Sequence, residues 1–147
     1  MRGGVIVVGV DGSEESKAAL RWAVEEARLR GAAVRVVHVW MARPVLLPGS
    51  PILAADWELV RKGAEEFVQG CVADAIGRPS DLKVTVDAVH GIPAAALVQA
   101  AKGAELLVMG SRGHGGFAGL LLGSVSQQCV QHAPCPVVIV RDAELAA

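Results

Sequence analysis

The chain opens on a run of apolar, mostly β-branched residues, Gly4 to Val10 (GVIVVGV), that stops at Asp11-Gly12-Ser13. Such a run predicts a strand buried on both faces and closed by a turn. A helix is predicted at once after it. Asp11 or Ser13 can cap that helix, Glu14 and Glu15 suit the positive end of its dipole, and Leu20, Ala23, Val24 and Ala27 make an apolar face that Gly31 closes. Val34 to Trp40 (VRVVHVW) predicts a second strand. Positions 41–55, with Pro44, Pro48, Gly49 and Pro51, form an irregular connection long enough to suit a lid or an interface element. From Asp56 to about Gly77 the helical period returns, with Leu59, Val60, Ala64, Phe67, Val68, Cys71 and Ala75 on one side. Lys83 to Val89 (KVTVDAV) alternates with period two, the pattern of a half-exposed strand at or near a sheet edge.

Gly91-Ile92-Pro93 then opens a short helix through Lys102, with Pro93 pre-set for its first turn. Glu105 to Gly110 predicts a fourth strand, Ser111 to Leu122 a long glycine-rich loop, and Gly123 to His132 a helix. Pro134 and Pro136 end that helix before a last strand, Val137 to Val140. Strand and helix alternate without repeat or linker, so residues 1–147 read as one domain: a doubly wound parallel sheet with helices on both faces.

Composition narrows the function. The chain is 52% hydrophobic with a net charge of −1, which excludes disorder. Its apolar residues are small and branched: 23 Val against two Phe, three Trp and no Tyr, too few rings for the stacking platforms of single-stranded nucleic-acid binders. With 14 Lys+Arg against 15 Asp+Glu there is no basic footprint for nucleic acid or an anionic membrane. No apolar stretch approaches the ~20 residues of a membrane span, and Val5 to Val10 is shorter than a signal-peptide core. The expected location is the cytoplasm. Cys71, Cys129 and Cys135 are odd in number and lack CxxC or metal-ligand spacing, as suits buried hydrophobes in a reducing compartment.

In open α/β sheets, ligands bind outside the carboxyl ends of the strands where the winding reverses. Two loops at such ends stand out. Gly110-Ser111-Arg112-Gly113, nine residues, then Gly123-Ser124 holds six of the chain's 17 glycines within 14 positions. From Leu106 to Arg141 there is no Asp or Glu, while Arg112, His114, His132 and Arg141 are present. Backbone N–H groups at a glycine turn and a helix start, without carboxylates nearby, favour a phosphate. His114 stands where it would reach one. The loop Asp11-Gly12-Ser13 with Glu14 and Glu15 repels phosphate, and a carboxylate there suits ribose hydroxyls or a base amine. Position alone fits Asp11 equally well as a helix cap. Together the loops describe a nucleotide site. The chain has no GxxxxGK[ST]. Gly113 to Ala118 matches GxGxxA but follows the fourth strand and has no acid at the ribose offset, so it is set aside. The four histidines form no triad or metal spacing.

These residues, with VIVVGVDGSEES, VVHVW, HGIPAAAL, LLVMGSRGHGGFAGLLLGSVS and CPVVIVR in order, resemble the ATP-binding subgroup of the universal stress protein family over the whole chain. The resemblance implies an adenine nucleotide alpha hydrolase-like sheet of order 3-2-1-4-5, with the crevice between strands one and four. It implies ATP as ligand, with Mg²⁺ carried on the phosphates. The candidate contacts are Val10, Asp11, Gly12 and Ser13, the backbone of Val39 at the adenine, and Gly91 at the flank. Around ribose and phosphates they are Gly110, Ser111, Arg112, Gly113, His114, Gly123, Ser124, Val125 and Ser126. With rings scarce, the base is expected between backbone groups and aliphatic walls near Val10 and Val39, without stacking. No catalytic base is placed, so the expected role is a regulatory or stress-response module with little or no turnover. A slow ATPase, a nucleotidyl-transfer enzyme and a ligand-free interaction module are the alternatives. Pro136 to Val140, apolar on both faces, is an edge strand in the family order, and the resemblance implies a homodimer through it.

Overall fold

The computed structural model describes residues 3–41, 57–111 and 122–141. Strands β1 (Val5–Gly9), β2 (Ala33–Trp40), β3 (Val84–His90), β4 (Leu106–Gly110) and β5 (Val137–Val140) alternate with helices α1 (Glu14–Arg30), α2 (Trp57–Ile76), α3 (Pro93–Ala100) and α4 (Ser124–His132). The strands form one parallel sheet of order β3-β2-β1-β4-β5. This is the predicted order, and the chain reverses its winding between β1 and β4.

The side-chain pattern explains which strand lies where. All five residues of β4 are buried, and Ile6, Val7 and Val8 of β1 are at most 1% exposed, because helices cover both faces of the central strands. Period two divides them. Ile6, Val8, Val34 and Val36 join Leu20, Val24 and Val68 under α1 and α2, while Val7, Val37 and Leu107 join Leu97 and Cys129 under α3 and α4. Each such aliphatic side chain removed from water contributes roughly 1.5–3 kcal/mol. β3, the alternating segment, lies on one edge with most of its residues half-buried. β5 lies on the other edge, half-buried at all four positions although none is polar.

One helix face differs from its prediction. In α2 the buried residues are Val68, Cys71 and Val72, whereas Leu59, Val60 and Phe67 are 68%, 45% and 47% exposed. Only the C-terminal half of α2 meets the core beside α1 and β3. At the carboxyl ends of β2 and β3 the rings of Trp40, Trp57 and His90 pack together, with centroids 4.7–5.8 Å apart. Among the described residues, no helix is long and apolar enough to cross a membrane.

Candidate functional site

The crevice between β1 and β4 is flanked by the first turns of two helices, and their side chains treat the helix start in opposite ways. At α1 the cap is Ser13, whose Oγ accepts from the Ser16 N–H at 3.2 Å. Asp11 braces that cap: its Oδ1 accepts from the Ser13 N–H at 2.9 Å and from the Ser13 hydroxyl at 2.6 Å. Ser16 closes the turn by donating to the Ser13 carbonyl and accepting from the Asp11 N–H. Gly12, at φ +90°, takes a backbone conformation that L side chains rarely adopt. Glu14 pairs with Lys17 at the surface. Glu15 turns inward.

Glu15, 6% exposed, accepts from the Ser111 hydroxyl at 2.6 Å, and Ser111 itself is 1% exposed. The bond ties the start of α1 to the end of β4. It also gives Gly110 a packing role: a Cβ there would stand 3.0–3.2 Å from the Cβ, carbonyl carbon and carbonyl oxygen of Glu15. The Ser111 N–H donates to Val140, and the Ser111 carbonyl accepts from the Gly123 N–H at 2.7 Å, so β4, β5 and the start of α4 meet at this residue.

At α4 the N-cap is Gly123, with no side-chain cap hydrogen bond and no acid in the first turn. Ser124 is exposed and Val125 half-buried. Ser126 is 3% exposed and donates its hydroxyl to the Gly110 carbonyl at 2.8 Å, which anchors the helix to β4. First-turn N–H groups have no intrahelical acceptor, and Gly123 has no side chain with which to cap them. Arg112, Gly113 and His114, the remaining sequence candidates, lie outside the described residues.

On the other side of Asp11, the last bond from the β1 segment to β2 is the Val10 N–H to the Val37 carbonyl, 3.0 Å. Val34 and Trp40 direct their backbone groups to the β3 side, and Ala33 and Val37 to the β1 side. Strand alternation therefore turns the N–H and C=O of Val39 toward the line of β1, two residues past the last β1 bond among the described residues. Gly91 donates its N–H to Trp40 and ends β3. Val10, 3% exposed, belongs to the core cluster under α1 and α2.

Sequence reasoning passed over two rings beside this point. His38 donates its Nδ1–H to the Val10 carbonyl at 2.8 Å, and Phe67 of α2 lies against it with centroids 5.1 Å apart. Period two in VRVVHVW places His38 on the α1/α2 face; nothing local marks Phe67, which reaches Gly12 from 55 positions away. The thiols are not part of the site. Burial pushes Cys129 up to about 11 and raises Cys71 and Cys135 as well, which makes them poor nucleophiles.

A parallel sheet of order β3-β2-β1-β4-β5, with a braced acidic turn after β1 and an acid-free helix start after β4, defines a doubly wound protein of the α/β class. The model of the universal stress protein family matches residues 4–141. A universal stress protein of Mycolicibacterium smegmatis is 38% identical over 145 residues, 97% of this chain and 49% of that protein. One of Thermus aquaticus is 38% identical over 138 residues, 92% of this chain and 97% of that protein. The chain belongs to the universal stress protein family. It spans about half the length of its mycobacterial relatives.

Solved structures share the fold. The universal stress protein UspA from Lactobacillus plantarum superposes with TM-score 0.68 at 24% identity, covering 96% of this chain and 99% of that one. A universal stress protein from Archaeoglobus fulgidus in complex with dAMP gives 0.61 at 22%, covering 95% and 98%. A family protein from Arabidopsis thaliana with AMP bound gives 0.60 at 22%, covering 96% and 93%.

Proposed function

We propose that this chain binds an adenine nucleotide, ATP, in the crevice between β1 and β4, and acts in the cytoplasm as a regulatory or stress-response module with little or no turnover. The observation that carries the reading is the glycine-headed start of α4, acid-free in its first turn and held against the end of β4 by the Gly123–Ser111 and Ser126–Gly110 bonds. Structures of this fold complexed with dAMP and AMP support it. The phosphates take the first-turn N–H groups of Ser124, Val125 and Ser126, with the Ser124 hydroxyl as a further donor. Mg²⁺ arrives on the phosphates; among the described residues no His/Cys/Asp/Glu cluster would hold it. Asp11 serves the ribose from within its brace. The backbone of Val39, past the β1 ladder, offers one donor and one acceptor to the adenine edge.

Isothermal titration with ATP and Mg²⁺ tests the reading. Wild-type protein binds, and Gly123→Val, which puts a branched side chain where the backbone must approach the phosphates, stays folded and loses binding. Unchanged affinity in that variant refutes the assignment. Phosphate release stays below ~1 s⁻¹, under the ordinary range of enzymes. β5, apolar and half-buried on an open edge, favours a homodimer through Pro136 to Val140, and a monomer by light scattering at micromolar concentration overturns that part.

A further inference from the structure

A base joined edge-on to the Val39 backbone continues the sheet where β1 leaves it, so its two faces look toward the two helical layers. On the α3/α4 side stands the side chain of Val39, packed with the cluster of Val37 and Leu97. On the α1/α2 side stand two rings. His38 is pinned by its bond to the Val10 carbonyl, which gives its ring a fixed orientation. Phe67 leans on it at 5.1 Å with the ring planes inclined by 49°. The tip of Phe67 fills the hollow above Gly12: a Cβ on that residue would stand 2.6 Å from Phe67 Cζ. Phe67 is thus located by His38 and by Gly12, yet it remains 47% exposed. A phenylalanine in the core would be covered, and one on an idle surface would have no reason to be held at two places beside Asp11.

We propose that Phe67, backed by His38, is the aromatic wall against which the adenine base stacks. The inference rests on the nucleotide reading above and adds a residue from α2 to it. The base would then lie between an aliphatic wall at Val39 and an aromatic one at Phe67, in place of two aliphatic walls. Stacking acts on the face of the base, whereas the Val39 backbone reads its edge, so the two contacts are separable.

The test compares wild type, Phe67→Ala and Phe67→Trp in titrations with ATP and with inorganic tripolyphosphate, each variant first checked by thermal melting. Base–aromatic stacking is worth enough that its loss in Phe67→Ala weakens ATP about 5- to 150-fold. Tripolyphosphate, which lacks a base, binds Phe67→Ala as it binds wild type. Phe67→Trp keeps ATP affinity within a few-fold of wild type, and ATP quenches the fluorescence of the introduced indole. Wild-type binding of ATP with no loss in Phe67→Ala, or equal losses for ATP and tripolyphosphate, overturns the inference while leaving the nucleotide reading intact. Failure of wild type to bind ATP overturns both.

Discussion

Two helices begin at the mouth of the same crevice, and they differ in what their first turns do with the same backbone dipole. Each helix start carries roughly half a positive charge on unsatisfied N–H groups. α1 serves one of them internally and sets acids beside the rest: Ser13 caps the Ser16 N–H, Asp11 braces the cap, and Glu14 and Glu15 bring further negative charge. α4 has Gly123, which brings no capping side chain, at its cap position, and no acid in its first turn. The side chains thus set negative charge against the dipole at α1 and none against it in the first turn of α4. The acidic turn and the open one are tied together by the bond between Glu15 and Ser111, which fixes their separation.

The comparison breaks most directly if α4 is given the chemistry of α1. Ser124→Asp places a carboxylate in the exposed first turn. Stability should hold or rise by about 0.3–1 kcal/mol, the usual contribution of an acid at a helix start. ATP affinity should fall by about 100-fold, because the same carboxylate repels phosphates and competes for their donors. Opposite signs for melting temperature and affinity are the signature; a parallel loss of both would mean that α4 is simply damaged.

A smaller effect is expected where the two helix starts meet. Gly110→Ala sets a methyl 3.0–3.2 Å from Glu15, backbone included, so α1 must retreat from β4. Overpacking of this kind costs about 1–3 kcal/mol. Urea unfolding measures it, and the loss should shrink when Ser111→Ala is already present, since one bond that draws Glu15 toward the end of β4 is then gone.

These contacts also mark where the sequence is legible. Strands and helices follow from local runs and caps: VIVVG reads as a strand because both its faces are apolar, and Gly31 ends α1 where the period stops. The strand order came with the family resemblance, since local patterns set which strands are central or at an edge but not their sequence across the sheet. The two loops of the site were visible as a glycine cluster and an acidic turn. The Glu15–Ser111 bond, 96 positions apart, and Phe67 over Gly12 were not, because each is created by tertiary packing. Phe67 in particular looked like core, since a period of 3.6 shows which residues share a face and not how much of that face the sheet covers.

The smallest expected effect concerns the closed helix start, and it decides what Asp11 is for. Ser13→Ala removes the cap and should cost about 1 kcal/mol, with ATP affinity changed less than threefold, because the hydroxyl it loses is already engaged by the Asp11 carboxylate and the Ser16 N–H. Asp11→Ala loses the brace, so a similar drop in melting temperature is expected. If Asp11 also serves the ribose, its variant must weaken ATP beyond the change seen in Ser13→Ala, while tripolyphosphate binding stays as in wild type or tightens as a nearby negative charge disappears. Equal affinities for ATP in the two variants would make the α1 turn structural only, and would leave the nucleotide held by α4 and the backbone of Val39.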